Sequence, residues 1–284
     1  MSPETFEHLC RILKHRSGIS ITAEKLYLAD VRLAPVAKKH SFAGVDELAG
    51  ALFHSTDEKL LIDVTDAMTT NESFFFRDNV PFDNFRTVSL PHMLNARAAT
   101  RRLRIWCAAC SSGQEPYSLS MILHEHKEKL AGWNIEIVAT DISRGMIGRA
   151  TEGSFSEFEV KRGLPESHLN RYFDEAPSSR WVIKDFLRPP ISFKIFNLLD
   201  DPTPLGRFDI VFCRNVLIYF EPETKAQVLG RIRSVMSEDG FLTLGAAETV
   251  IGITDAFQMS TLGRGLYHPS PIGGDSVKQA SAVA

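Results

Sequence analysis

The stretch CAACSSGQEPYS, residues 107–118, joins the two patterns that decide the fold. It ends the apolar, β-branched run LRIWC (103–107) and leads into a helical pattern over residues 116–126. A buried strand, a tight turn of small residues and a helix, in this order, predict the opening half of a βαβ unit. The chain is therefore expected to contain an α/β domain with this stretch at a strand end.

Four more short apolar runs with strand character follow. They are IEIVAT (135–140), ISFKIF (191–196), FDIVFC (208–213) and GFLTLG (240–245). Helical patterns over 143–152 and 222–237 lie between some of them. This alternation predicts an α/β fold with a doubly wound, mostly parallel sheet that helices cover on both faces. Segment 155–190 breaks the alternation and predicts a small inserted β-subdomain.

The first 85 residues predict helices only. Ser2 and Pro3 form a helix start, and Gly18 ends that helix. Further helical patterns follow Thr22 and cover 45–53 and 58–68. We therefore expect an all-α N-terminal domain over 1–85, a linker over 86–100, a second α/β domain over 101–269 and a disordered tail over 270–284.

The composition narrows the classes of function. The 284 residues carry a net charge of -3, so the overall charge gives no reason to expect a nucleic-acid partner. No apolar stretch approaches the roughly 18 residues of a membrane span, and we expect no membrane insertion. The N-terminus lacks the apolar core of a signal peptide, and four cysteines do not suggest a disulfide framework. A cytoplasmic protein is expected.

The chemistry of a doubly wound sheet lies at the carboxyl ends of its strands. Here those ends carry residues 110–115, Asp141, Asn197 and the pair Arg214 and Asn215. Four strand ends with polar groups suited to one small ligand are a stronger signal than any single motif. We expect one binding site to be built from them.

The opening stretch itself argues against two common cofactor sites. Cys107 and Cys110 form one CxxC with no second ligand pair at zinc spacing, so buried packing thiols are favoured over a metal or redox site. Gly113 stands alone, and no phosphate-binding glycine fingerprint is present. Glu115, at the helix start, either complements the helix dipole or receives a cationic amine; both interpretations stay open.

Asp141 ends the second predicted strand. An acidic residue at this place in a nucleotide-binding fold accepts hydrogen bonds from ribose hydroxyls. The alternative is an N-cap for the next helix, although Ser143 can also serve there. A ribose contact, no polyphosphate cradle and a site for an amine together point to S-adenosylmethionine.

Two further stretches contribute candidate residues. TNESFFFRD (70–78) lies between the domains; its phenylalanines are either interdomain core or a lid over the cofactor, and Arg77 offers a planar fork to a carboxylate. FCRNVLIYF (212–220) follows the fourth strand and brings Tyr219 near the strand end; the plainer alternative is a packed tyrosine.

Five stretches, in order, resemble the successive signatures of the CheR family of S-adenosylmethionine-dependent methyltransferases, which esterify glutamates on bacterial chemoreceptors. They are TNESFFFRD, AACSSGQEPYSLSM (108–121), ATDIS (139–143), FCRNVLIYF and DGFLTLGAAE (239–248). The resemblance runs from about residue 5 to residue 268. The family has a helical N-terminal domain, a linker and a methyltransferase domain interrupted by a β-subdomain.

The resemblance implies a set of site residues. Cofactor contacts are expected from Asn71, Ser73, Arg77, Glu115, Asp141, Asn197, Leu198, Arg214 and Asn215, and Arg77 and Tyr219 are expected to line the reaction centre. No metal is implied. Two positions depart from the family: Ser73 stands where some members have threonine, and Ala109 where many have glycine.

The expected function is methyl esterification of glutamates on the cytoplasmic helical domain of chemoreceptors by a monomeric enzyme, with S-adenosylhomocysteine as the product. The region RYFDEAPSSRWVIK (171–184) lacks the glycine-containing extension of members that dock on a receptor's C-terminal pentapeptide, so tethering is not expected. Two alternatives stay open: a small-molecule carboxyl or O-methyltransferase, and a non-catalytic receptor-docking module. Basic residues on the second helix, Arg32, Lys38 and Lys39, either meet the acidic receptor or form a solvated face.

Overall fold

The N-terminal region consists of four helices around their own core. The computed structural model describes residues 1–271, and the expected tail lies outside the described residues from residue 272 onward. The four helices are α1 Pro3–Ser17, α2 Leu26–Lys39, α3 Val45–Ala51 and α4 Glu58–Met68. The Ser2 hydroxyl accepts a hydrogen bond from the amide of Thr5, and Gly18 ends α1 at φ +76°. Leu13 and Leu33, both fully buried, belong to the helical core.

The stretch between the two regions is helical, which differs from the linker expected over residues 86–100. It forms α5 Val80–Asn84, a π-helical turn over Phe85–Ser89, and α6 Leu90–Ala96. Pro81 lies in the first turn of α5, where the missing amide hydrogen is not needed, and Pro91 lies where the π-helical turn passes directly into α6. Phe85 and Met93 pack in the same core cluster as the sheet. This stretch is therefore part of the packed α/β structure by contact.

A seven-stranded sheet forms the centre of the second region. The chain contains ten strands in its described part: β1 Arg102–Ala108, β2 Asn134–Asp141, β3 Ser154–Ser156, β4 Phe173–Ala176, β5 Arg180–Ile183, β6 Ile191–Ile195, β7 Phe208–Cys213, β8 Met236–Leu244, β9 Phe257–Met259 and β10 Leu266–Pro269. The strand order is β6-β2-β1-β7-β8-β10-β9. The first five strands in this order run parallel, and β10 is antiparallel to both of its neighbours. The order reverses between β1 and β7, which is where such folds bind ligands.

Both faces of the sheet are buried. On β1, Ile105 and Cys107 face one core cluster, while Trp106 and Ala108 face the other. The helices α7 Gln114–Glu125, α8 Arg144–Glu152 and α11 Pro222–Ser234 connect the strands. This arrangement confirms the predicted doubly wound sheet and explains why its strands are continuous apolar runs.

An inserted subdomain follows α8. Its elements are β3, α9 Glu157–Lys161, α10 Glu166–Tyr172, β4 and β5. The three strands form an antiparallel sheet in the order β3-β5-β4, which confirms the predicted β-subdomain. Ala176 pairs with Arg180, so the loop between β4 and β5 has only three residues, and Ser178 and Ser179 adopt positive φ in this tight turn.

Across residues 1–271, the helices are all too short or too polar to cross a bilayer.

Candidate active site

A cleft opens at the carboxyl ends of the parallel strands, beside the reversal between β1 and β7. It holds about 900 Å³ of space including its open mouth. The helical N-terminal region forms part of its wall through Ser17, Ile19 and Thr69. The structure brings all of the predicted site residues to this one cleft: Asn71, Ser73, Arg77, Glu115, Asp141, Asn197, Leu198, Arg214, Asn215 and Tyr219. Their individual contacts with a ligand stay predictions.

The turn after β1 is tight and bends around the cleft. Ala109 has φ +80°, Ser111 +49° and Gly113 +96°, so three residues of the turn lie in the left-handed region. A non-glycine residue there is disfavoured by roughly 1–2 kcal/mol, which explains why glycine suits the position of Ala109. The Ser111 hydroxyl donates to the carbonyl of Asn71 at 2.8 Å and ties the turn to the 71–78 stretch.

Asp141 lies at the end of β2 with its carboxylate between two backbone amides. The amide of Ser111 donates to Oδ2 at 2.8 Å, and the amide of Ser143 donates to Oδ1 at 2.9 Å. Burial raises the pKa of Asp141 above its usual value, although these two hydrogen bonds lower it. Ser143 itself caps α8, so Asp141 is not needed as the cap. Its carboxylate lines the cleft and suits a ribose diol.

Glu115 and Arg214 are bonded to each other. Arg214 Nη1 donates to Glu115 Oε2 at 2.8 Å, while Nη2 donates to Asp78 Oδ2 at 2.9 Å and to the carbonyl of Arg77 at 2.7 Å. The Arg214 side chain is 2% exposed and that of Glu115 12%. Burial raises the pKa of Glu115, and the Arg214 guanidinium opposes this. Glu115 therefore takes part in a buried ion pair with Arg214, which neither interpretation of Glu115 from the sequence predicts.

The residues at this end of the cleft fit the amino-acid part of S-adenosylmethionine. The Nε atom of Arg214 is buried and has no hydrogen-bond partner within residues 1–271, so one polar group at this end of the cleft is not satisfied by the protein itself. The Glu115 carboxylate lines the same cleft and is an acceptor for an ammonium group. With Asp141 for the ribose, the donor set matches the charged and polar groups of this cofactor.

The two predicted reaction-centre residues come from different segments. Arg77 Nη1 donates to the carbonyl of Glu72 at 2.8 Å, and its guanidinium lies 5.4 Å from the centroid of the Phe74 ring. Within the described residues, no carboxylate lies at salt-bridge distance from it. Tyr219 belongs to a short 3-10 turn, packs beside the sheet's second core cluster, and accepts a hydrogen bond from the Ser20 amide on its carbonyl.

The remaining predicted residues line the cleft with some of their polar groups already bonded. The side-chain amide of Asn197 donates to the carbonyl of Arg16 at 2.6 Å, which links the end of β6 to α1. Leu198 packs in the core beneath the cleft. The Asn71 side chain donates to the Thr69 hydroxyl at 3.0 Å. Ser73 lines the cleft wall.

Sequence reasoning did not identify Glu248, which holds the loop after β7. Its carboxylate accepts hydrogen bonds from the amides of Asn215, Val216, Leu217 and Gly245, at 2.7–2.9 Å. Asn215 has φ +57°, and this clamp holds it there. The available signal was weak: an acidic residue that follows the end of β8 within the stretch DGFLTLGAAE.

The three basic residues of α2 that the sequence offers for receptor contact differ in whether their side chains are already bonded within the protein. Arg32 donates to the carbonyls of Met68 and Thr69 and is committed to the fold. Lys39 pairs with Asp63 at 2.8 Å. Lys38 is exposed at the end of α2. This face is therefore less available than its sequence suggests.

Comparison with known proteins identifies the family. A family model described as the SAM-binding domain of CheR methyltransferase matches residues 71–266. The chain is 39% identical to "Chemotaxis protein methyltransferase Cher2" of Pseudomonas putida and 40% to "Chemotaxis protein methyltransferase 1" of Pseudomonas aeruginosa, each over 266 residues, 93% of this chain and 96% of the relative. It is 36% identical over 270 residues to "Chemotaxis protein methyltransferase 1" of Vibrio cholerae, covering 94% and 97%. The chain therefore belongs to the CheR methyltransferase family and is an S-adenosylmethionine-dependent methyltransferase.

Proposed function

We propose that the enzyme esterifies glutamate side chains on the cytoplasmic helical domain of chemoreceptors, that it does so in the cytoplasm as a monomer, and that it needs no pentapeptide tether. The observation that carries the substrate class is Arg77, a cleft-lining guanidinium without a carboxylate partner in the described part of the chain. A planar fork of this kind suits a carboxylate.

The methyl transfer requires few catalytic groups. A glutamate side chain has an ordinary pKa of about 4.3, so it is already a carboxylate nucleophile at neutral pH and needs no general base. When bound, S-adenosylmethionine supplies an activated methyl group. Arg77 keeps the incoming carboxylate ionised as it leaves water, and the Tyr219 hydroxyl orients its attacking oxygen.

The cofactor is held by the strand ends. Asp141 accepts from the ribose hydroxyls, Glu115 accepts from the amine, and Asn197 and Leu198 line the adenine side of the cleft through the loop after β6. Arg214 joins Glu115 to Asp78 and so connects the cofactor end of the cleft to the segment that carries Arg77.

The proposal of tether-free action rests on the β4–β5 hairpin. Its loop spans only residues 177–179 and has no extension beyond the two strands. A peptide that added to this subdomain would lack the further contacts that a longer loop offers. The receptor's methylation helices would then be recognised directly.

Methyl transfer to a receptor fragment tests the proposal. Labelled S-adenosylmethionine is incubated with the enzyme and the cytoplasmic fragment of a chemoreceptor from the same genome, with and without the fragment's last residues. We expect equal labelling of both fragments and release of the label as methanol in base, as an ester requires. Labelling of a small carboxylic acid but not of the fragment would contradict the proposal.

A further inference from the structure

The segment 71–79, which we call the arginine segment because it carries Arg77, has neither helix nor strand structure. Phe76, Asp78 and Asn79 have φ values of +51°, +69° and +48°. Residues other than glycine hold such angles only where their surroundings enforce them. The contacts that enforce them identify what sets the position of Arg77.

The inserted subdomain packs against the middle of the arginine segment, and its His168 ring lies 5.6 Å from the ring of Phe76. Phe75 is fully buried, with ring centroids of Phe155 and Phe173 from the insertion at 5.0 and 5.4 Å. Gly163, just after α9, lies directly against the backbone: a Cβ there would come within 2.1 Å of the Phe75 carbonyl oxygen. Its φ of +83° also favours glycine. The insertion therefore fixes the centre of the arginine segment.

Arg162, next to Gly163, reaches the part of the segment that touches Arg77. Its guanidinium lies 4.5 Å from the centroid of the Phe74 ring, and its Nη2 donates to Glu72 Oε1 at 2.5 Å. Arg77 contacts the same two residues: its guanidinium lies 5.4 Å from the Phe74 ring, and its Nη1 donates to the Glu72 carbonyl. The two arginines are thus linked through one ring and one glutamate.

We propose that Arg162 is a positioning residue for methyl transfer, which holds Glu72 and Phe74 and through them aims the Arg77 guanidinium into the cleft. This inference rests on the proposed role of Arg77. It gives the β-subdomain a task in the chemistry that does not depend on any receptor tail. An enzyme that needs no tether would still need the insertion.

Arg162 lies where its replacement should change turnover without unfolding the protein. Its side chain is 41% exposed and that of Glu72 55%, and an ion pair so exposed adds little to stability. Arg162→Ala should therefore fold normally. Small displacements of a positioned group can lower a rate strongly, and we expect turnover on the receptor fragment to fall about tenfold. Affinity for S-adenosylhomocysteine, measured by calorimetry, should fall by less than turnover does, because Asp141 and Glu115 keep their positions.

A matched control separates positioning from general loss of charge. Arg149 pairs with Glu159 at 2.6 Å and is 42% exposed, yet it does not line the cleft. Arg149→Ala should keep native turnover. Arg162→Lys keeps the charge and loses the flat guanidinium over Phe74, so its turnover should lie between those of Arg162→Ala and the native enzyme.

The double variant decides whether Arg162 acts through Arg77. If it does, Arg162→Ala costs nothing further in an Arg77→Ala background. An equal tenfold loss in both backgrounds, or native turnover of Arg162→Ala, would overturn the inference. Two other results can be told apart from these. Native turnover of Arg77→Ala would contradict the role of Arg77, and absence of labelling of the fragment by the native enzyme would contradict the proposed function. Either result would also overturn the inference.

Discussion

The carboxylate of Glu248 accepts a hydrogen bond from the backbone amide of Asn215 at 2.7 Å, across 33 residues of sequence. The same carboxylate bonds the next two amides, so the loop between β7 and Tyr219 is held by one side chain. A Cβ on Gly245 would lie 2.7 Å from Glu248 Oε2 and 3.0 Å from the Asn215 amide, which shows how closely the two strand ends approach.

Replacing Glu248 should disturb both the loop and the reaction. Glu248→Gln keeps one acceptor oxygen and turns an amide NH2 toward backbone donors, which should cost about 2 kcal/mol of unfolding free energy and lower methyl transfer about tenfold. Chemical denaturation and labelling of the receptor fragment measure the two effects. Glu157→Gln, which removes only an exposed pair with Lys161, serves as the control. Native transfer by Glu248→Gln would show that the clamp does not aim Tyr219.

Arg214 gives a prediction on stability. Its guanidinium balances Glu115 and Asp78, and its removal leaves a largely buried Glu115 carboxylate without its partner. Arg214→Leu should lower the free energy of unfolding by about 3–5 kcal/mol, as the loss of one partner of a buried pair does. Arg149→Ala, which breaks a half-exposed pair, should cost less than about 1 kcal/mol in the same urea titration. Equal effects of the two substitutions would contradict the picture of a buried ion pair.

The sequence predicted the sheet and the position of the cleft because both follow from local patterns. Apolar runs separated by helices predict parallel strands, and the ends of those strands converge wherever the order reverses. The pairing of Glu115 with Arg214 could not be predicted in this way, since 99 residues separate them and neither has a local partner that marks it. The sequence predicts each of them only as a separate cofactor contact.

Two other features were hidden for similar reasons. Glu248 follows a strand end but its four amide donors come from turns whose geometry the sequence does not specify. The stretch over residues 86–100, expected as a linker, is largely helical, and its apolar residues pack on the sheet core. Contacts between residues far apart in the sequence determine both features, and local sequence patterns do not indicate such contacts.

Cofactor binding should depend on Asp141 more than on a neighbouring acid. Asp141→Ala removes a buried, charged acceptor, which should weaken affinity for S-adenosylhomocysteine about 100-fold. Asp66 is the matched control: it accepts from the amide of Arg144 at the same end of α8 but does not line the cleft. Asp66→Ala should keep affinity within about twofold in the same calorimetric titration, since no polar contact to the cofactor is lost. Comparable losses in both variants would mean that the helix end, not the ribose contact, matters.

The pH dependence of cofactor affinity follows from the raised pKa values of Asp141 and Glu115. Burial is the main cause in both, so each carboxyl takes up a proton at a higher pH than the ordinary 3.8 and 4.5. In the proposed binding mode the ionised forms accept hydrogen bonds from the ribose and the amine, and affinity should therefore fall as the pH drops toward the raised values. Stability has the opposite sign: the folded, ligand-free protein binds these protons more tightly than the unfolded chain, so their contribution to unfolding free energy grows as the pH falls toward the ordinary values and is lost as it rises.

Calorimetry from neutral pH down to the lowest pH at which the protein stays folded measures the affinity. As the pH is lowered, we expect the native enzyme to begin losing affinity at a higher pH than that at which exposed carboxyl groups take up protons. The affinity of the Asp141→Ala variant should change less steeply with pH, because only Glu115 of the two carboxyl groups remains. The difference between the two curves isolates Asp141, because every other titratable group is common to both proteins. Parallel curves would mean that Asp141 keeps its charge throughout, and its carboxylate would then not be the group that links cofactor affinity to pH.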